Sequence, residues 1–120
     1  MVKLLIVEDD ASVRSLVARA VAGTGWEILE AGDGASALDI VQREHPAVVL
    51  LDLGLPQMSG AEVCQRIKAT PELHNTVVVM LTAFVDPLNL ERCNEAGADR
   101  ILTKPFSPLA LRALLDAFRV

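Results

Sequence analysis

The sequence predicts an α/β fold in one domain, a parallel sheet covered by helices on both faces. Three observations predict it. Five short runs, at residues 4–7, 27–31, 48–51, 77–81 and 101–102 with a neighbour or two, are apolar at most or all positions and rich in Val, Ile and Leu. Such runs suit strands buried on both sides. Helical patterns separate them, so strand and helix alternate along the chain. The length of 120 residues fits a single domain, 1–120, and 52% hydrophobic residues are enough to fill its core.

The first strand, 4–7, leads to Val13, Leu16, Val17, Ala20 and Val21 at helical spacing, with Asp10 or Ser12 as cap and Gly23 or Gly25 as stop. The second, 27–31, is the most polar run and is expected at a sheet edge. Gly32-Asp33-Gly34 then turns the chain into a helix marked by Ala37, Leu38 and Val41, ended before Pro46. The third strand, 48–51, precedes a helix marked by Val63 and Ile67 that ends near Pro71. The fourth, 77–81, precedes a helix over 87–95, closed by Gly97. The fifth, around 101–102, precedes a helix with Ser107 as cap, Pro108 at its first position, and Leu111, Leu114, Leu115 and Phe118 on its apolar face. With right-handed crossovers, this order matches the flavodoxin-like doubly wound sheet of five strands and five helices, strand order 2-1-3-4-5. Its switch point lies between the first and third strands, and ligands bind there beyond the carboxyl ends.

Composition removes several function classes. The formal net charge of −5 sets the domain against nucleic-acid phosphates, so no direct nucleic-acid partner is expected. No apolar run approaches the ~20 residues of a membrane span, and the first residues do not form a signal peptide. A cytoplasmic location without a membrane partner is the expectation. Cys64 and Cys93 lie in helical segments without metal-ligand spacing and read as free thiols. His45 and His74 read as surface residues, and Trp26, Met58 and Met80 as packing. The segment from Gly32 to Ala37 imitates a G-x-G-x-x-A dinucleotide fingerprint. It follows an edge strand, however, and Glu30 and Asp33 would place negative charge beside a pyrophosphate.

The strand ends carry the chemistry. The first strand ends in Glu8-Asp9-Asp10, the third in Asp52, the fourth in Thr82 and the fifth in Thr103-Lys104-Pro105. Two carboxylates ~4 Å apart repel by about 4 kcal/mol at an effective dielectric near 20. Lys104 supplies one compensating charge, and a divalent cation would supply the rest. Few carboxylates, no His cluster and an open site favour Mg²⁺ with retained waters. Such a metal suits phosphoryl transfer, with Asp52 as acceptor, Lys104 holding one phosphoryl oxygen and the Thr82 hydroxyl another. Each residue alone has a plainer reading: the acids as a helix cap, Asp52 as a loop aspartate, Lys104 as a surface lysine, Thr82 as strand-end polarity. Their convergence on one rim favours a site, with Asp10 left as the cap.

Four segments extend this reading: Leu5-Ile6-Val7-Glu8-Asp9-Asp10; Leu50-Leu51-Asp52-Leu53-Gly54-Leu55-Pro56-Gln57-Met58-Ser59-Gly60; Met80-Leu81-Thr82-Ala83; and Gly97-Ala98-Asp99-Arg100-Ile101-Leu102-Thr103-Lys104-Pro105-Phe106. In order and separation, over the whole chain, they resemble the receiver domains of two-component response regulators. The resemblance implies phosphorelay signal transduction, in which Asp52 accepts a phosphoryl group from a histidine kinase or phosphotransfer protein. It implies Asp9 as direct Mg²⁺ ligand, Glu8 acting through water, and the Gly54 backbone carbonyl as a further ligand beside Asp52. Thr82 and Lys104 become the switch contacts, and Lys104–Pro105 a candidate cis peptide. Readout would pass to an output protein or an output domain outside these residues.

Two positions depart from the family pattern. Ile101 stands where receivers often carry a switching aromatic, and the chain has no Tyr, so the aromatic part of the switch is absent or moved. Arg100 stands where the winged-helix transcription factors often have an acid used in dimer pairing, so that dimer is not expected. Phe84 and Gly54, two residues past Thr82 and Asp52, cannot orient an attacking water, and slow self-dephosphorylation is expected. A phosphohydrolase with an aspartyl nucleophile is the enzymatic alternative, but Gly54 stands where its general acid would be. A pseudo-receiver that only binds protein is the third reading, and the filled key positions speak against it.

Overall fold

In the computed structural model, which describes residues 2–83 and 86–118, each apolar run is a strand and each periodic stretch a helix. Strands β1 (Val2–Val7), β2 (Trp26–Ala31), β3 (Val48–Asp52), β4 (Val77–Thr82) and β5 (Arg100–Thr103) alternate with helices α1 (Ala11–Val21), α2 (Gly34–Glu44), α3 (Gly60–Ala69), α4 (Pro87–Ala96) and α5 (Pro108–Asp116). Among the described residues the strands form one parallel sheet in the expected order, β2-β1-β3-β4-β5. Phe84, one of the two residues expected to govern hydrolysis, lies outside the described residues.

The core explains why the central strands are apolar at every position. Successive residues of a strand face opposite sides of the sheet. Leu5, Val7, Val49, Leu51, Val78 and Met80 pack beneath α2, α3 and α4, against Val41, Val63, Ile67 and Cys93. Leu4, Ile6, Val48, Leu50, Val79 and Leu81 pack on the other face, against Val17 and Val21 of α1 and Leu111 and Leu115 of α5. The two outer strands are more polar. In β2 only Trp26 and Ala31 are buried while Glu27 and Glu30 face solvent, and β5 exposes Arg100 and Thr103. Trp26, read from the sequence as a packing residue, is buried.

Each helix begins with a side-chain cap. Asp10 accepts the N–H groups of Ser12 and Val13, and Asp33, Ser59, Asp86 and Ser107 do the same for α2 to α5. A cap of this kind contributes about 1 kcal/mol. In a parallel α/β unit the strand's carboxyl end and the next helix's N-terminus share one rim, so all five caps lie at the end of the sheet where a ligand would sit. Asp52 and Thr82 are the last residues of their strands rather than the first beyond them. Helix α1 ends at Val21, before the two glycines, which form the turn at φ 77° and 94°. Helix α5 stops at Asp116, yet Phe118 still packs against the core. Among the described residues no helix is long and apolar enough to cross a membrane.

Candidate functional site

The site lies at the carboxyl ends of β1 and β3, the switch point of the sheet. Glu8 follows β1 directly, and its N–H donates to the Ala31 carbonyl at 3.1 Å, one step beyond the β1–β2 ladder. This keeps Glu8 buried, at 4% exposure, while Asp9 turns out to solvent. Asp52 ends β3 at 8% exposure. The Gly54 N–H donates to Asp52 Oδ1 at 3.2 Å, orienting that carboxylate from the loop. Gly60, at the start of α3, lies directly beneath: its N–H donates to the Leu53 carbonyl, and a Cβ there would stand 2.3 Å from the Asp52 carbonyl oxygen. Only glycine lets α3 approach the Asp52 backbone this closely.

Lys104, the residue directly after β5, completes the cluster. Its backbone N–H donates to the Thr82 carbonyl at 2.8 Å, which ties the end of β5 to the end of β4. Its Nζ donates to Glu8 Oε2 at 3.2 Å and to Asp52 Oδ1 at 3.3 Å. Carboxylate oxygens of Glu8, Asp9 and Asp52 all lie within 4.8 Å of one another. The structure therefore brings together Glu8, Asp9, Asp52 and Lys104, with Gly54 against Asp52. Thr82 is buried at the end of β4, one residue beyond the Leu81 that pairs with Asp52.

Electrostatics define what this cluster can do. At separations of 4.8 Å or less, each carboxylate pair repels by at least about 3.5 kcal/mol at an effective dielectric near 20. Burial, and then the Asp52 charge, push the Glu8 carboxyl above the usual carboxylate range against the pull of Lys104. Burial works to lower Lys104, but the Asp52 and Glu8 carboxylates outweigh it and raise the ammonium above its ordinary value. Three carboxylates against one ammonium leave two negative charges unbalanced. Hard oxygen donors with no thiolate or imidazole among them fit a hard divalent cation.

One residue that belongs to this region was not anticipated. Arg14, one turn into α1, donates from Nη1 to the Glu8 carbonyl at 2.7 Å, and its Nε meets Glu30 Oε1 at 3.1 Å. The only signal in the sequence was a basic residue shortly after the acids, opposite a glutamate on the second strand. The Lys104–Pro105 peptide is cis, as the resemblance implies. At the departures from the family pattern, Ile101 is half-buried, and the Arg100 guanidinium lies over the Phe118 ring, 5.3 Å from its centre.

Comparison with known proteins gives a consistent result. The family model described as the response regulator receiver domain matches residues 4–116. Among curated relatives, the probable transcriptional regulator ycf27 of Porphyridium aerugineum is 38% identical over 111 residues, covering 92% of this chain and 45% of the relative. The chain spans about half the length of the curated relatives it matches. Chemotaxis protein CheY4 of Vibrio cholerae is a similar solved structure, with a TM-score of 0.92 at 30% identity over 99% of both chains. The receiver domain of sensor histidine kinase PA1611 from Pseudomonas aeruginosa PAO1 has a TM-score of 0.89 at 25% identity, covering 97% of this chain and 95% of that one. That structure has a magnesium ion coordinated in its active site cleft.

Proposed function

This chain belongs to the response regulator receiver domain family of two-component signalling, and on that footing we propose that Asp52 is its phosphoryl acceptor, in a magnesium-dependent transfer from a histidine kinase or phosphotransfer protein. The observation that carries the reading is the meeting of Asp52 with Glu8, Asp9 and Lys104 at the switch point. Receivers are signalling switches rather than turnover enzymes, and the chemistry proposed here is limited to self-phosphotransfer and self-dephosphorylation.

Asp9 and Asp52 carboxylates and the Gly54 carbonyl would hold Mg²⁺ directly, and Glu8 through water. When bound, the ion supplies neutralisation of the charge on the transferred phosphoryl group. The Gly54 N–H and the Lys104 ammonium hold Asp52 Oδ1 and so orient the carboxylate for attack. An Asp52 carboxylate oxygen bonds to phosphorus as the donor's imidazole nitrogen leaves, which yields an aspartyl phosphate. The new group adds about −1.5 to −2 charge. Lys104 then moves its charged hydrogen bond to a phosphoryl oxygen, and Thr82 contributes its hydroxyl. Because the Lys104 N–H is bonded to the Thr82 carbonyl, the ends of β4 and β5 shift together and carry the change to the surface beside α4.

An apolar groove lined by Val13, Leu16, Phe106 and Pro108 opens beside Lys104, between α1 and the start of α5. Readout passes to an output protein or to a region beyond these residues. With a net charge of −5 the domain itself does not touch nucleic acid, and a cytoplasmic setting belongs to the same reading. Gly54 offers no side chain to hold a water, so self-dephosphorylation is expected to be slow; an unchanged hydrolysis rate in Phe84→Glu would contradict the share assigned to Phe84.

The test is mass spectrometry after incubation with acetyl phosphate and Mg²⁺. One phosphoryl adduct is expected on the wild type and none on Asp52→Asn. An unmodified wild type, or an adduct that survives in Asp52→Asn, would refute the assignment. Beryllofluoride with Mg²⁺ should bind the wild type and fail with Asp52→Ala.

A further inference from the structure

We propose that Arg14 is a positioning residue for the cation site, clamping the Glu8 carbonyl to α1 and β2 and thereby setting the direction of both Glu8 and Asp9. The inference rests on the reading of Glu8, Asp9 and Asp52 as a divalent-cation site.

The geometry is specific. The β1–β2 ladder ends at Val7 paired with Ala31, and the Glu8 N–H is taken by the Ala31 carbonyl. The Glu8 carbonyl lies one atom group further along, and its hydrogen bond comes from Arg14 Nη1 at 2.7 Å. That carbonyl belongs to the peptide joining Glu8 to Asp9. A peptide is planar, so holding its oxygen fixes the plane from which the Glu8 and Asp9 side chains depart. Arg14 is itself held from the far side by Glu30, and its side chain is only 22% exposed. Gly32 leaves the space this needs, since a Cβ there would stand 3.3 Å from Arg14 Nη1. The guanidinium thus bridges α1, the end of β1 and the edge strand β2, directly behind the acids.

Charge and position make opposite demands, which is what allows a test. Arg14 brings positive charge towards an acidic cluster, so by charge alone its removal should tighten cation binding. By position its removal frees the Glu8–Asp9 peptide and should loosen binding. Lysine separates the two, because it keeps the charge but lacks a planar fork able to reach both the carbonyl and Glu30.

Mg²⁺ affinity of the full chain, measured by isothermal titration calorimetry, decides between them. Arg14→Gln and Arg14→Lys are expected to weaken Mg²⁺ binding by about tenfold, the scale of lost supporting contacts around metal ligands. Arg43→Gln, which removes an equal charge from an exposed pair with Asp39 near the opposite end of α2, is expected to leave affinity unchanged. Phosphoryl uptake from acetyl phosphate at saturating Mg²⁺ should return to the wild-type rate in both Arg14 variants. A merely destabilising role would not give that split between affinity and limiting rate. Binding at wild-type strength or tighter in Arg14→Gln, binding at wild-type strength in Arg14→Lys, or a limiting rate that stays depressed would each overturn the inference. A wild type that binds no Mg²⁺ would overturn the cation site itself. If the Arg14 variants fail to fold, Glu30→Ala takes their place at high ionic strength, where a screening length of ~4 Å suppresses the lost charge. Weaker Mg²⁺ binding then supports the clamp, and unchanged binding overturns it.

Discussion

Replacing Lys104 with methionine removes the ammonium that stands 3.2 Å from Glu8 and 3.3 Å from Asp52, while most of the side chain's length remains. At those distances each attraction is about 5 kcal/mol at an effective dielectric near 20. That sum is not the expected loss, because an uncompensated carboxyl takes up a proton instead. Protonating a carboxyl of ordinary pKa at pH 7 costs about 3.5 kcal/mol, and this caps the penalty for each acid. Glu8 should accept the proton first, since burial and then Asp52 already raise it. A raised acid binds its proton more tightly in the folded state, so folding gains as pH falls through the folded pKa towards the unfolded value. The variant raises Glu8 further, and its deficit must shrink on acidification. Expected is a loss of about 3 kcal/mol at pH 7 and about 1.5 kcal/mol at pH 5.5. Urea unfolding followed by Trp26, the single and buried tryptophan, is the assay. At a slope of about 2 kcal/mol per molar, the midpoint should fall by about 1.5 M at pH 7, and saturating Mg²⁺ should restore much of it. Equal losses at both pH values, unmoved by Mg²⁺, would show that Lys104 acts by packing and not by charge balance.

Other perturbations follow from the same geometry. Mg²⁺ affinity should weaken as Glu8 takes up its proton, with the decline starting above the range of an ordinary carboxylate; calorimetry from pH 8 to pH 5 checks this, and a flat profile refutes it. Gly60→Ala puts a methyl against the backbone of Asp52 and Leu53 and should cost about 3 kcal/mol or prevent folding, as read by thermal unfolding. Gly54→Ala meets nothing closer than Asp52 Oδ1 at 3.9 Å, so stability should change by less than about 0.5 kcal/mol and Mg²⁺ binding should persist, since that residue would ligate through its carbonyl. The Cys64 thiol is buried and burial pushes it up to about 11, so alkylation at pH 8 should proceed only through unfolding and quicken with urea; rapid labelling of the native chain would contradict its burial.

Some features were legible because one physical rule governs them. Leu4 to Val7 and Val48 to Leu51 are apolar at every position because helices cover both faces of the sheet, and that pattern announces a central strand. Glu27 and Glu30 marked β2 as an edge because one strand side has no neighbour there. Glu8, Asp9 and Asp52 stood out as acids placed directly after apolar strands that flank the switch point. Lys104 needed the topology as well, because only the order of strands brings β5 near enough for its side chain to reach back to β1 and β3. Arg14 was not legible. Its partners are a backbone carbonyl and a glutamate 16 residues away, and neither leaves a pattern in the sequence. The stacking of Arg100 on Phe118, 18 residues apart, is a tertiary contact that likewise left no pattern.

Lys104 meets Glu8 across 96 residues of chain and Asp52 across 52. During synthesis on the ribosome the three acids emerge well ahead of the ammonium that tempers them. A nascent or truncated chain without β5 therefore carries the three acids without their ammonium, and Asp52 Oδ1 keeps only the Gly54 N–H of its two donors. On the proposed reading, a phosphoryl acceptor with its ammonium in place is therefore complete only once that last strand has docked.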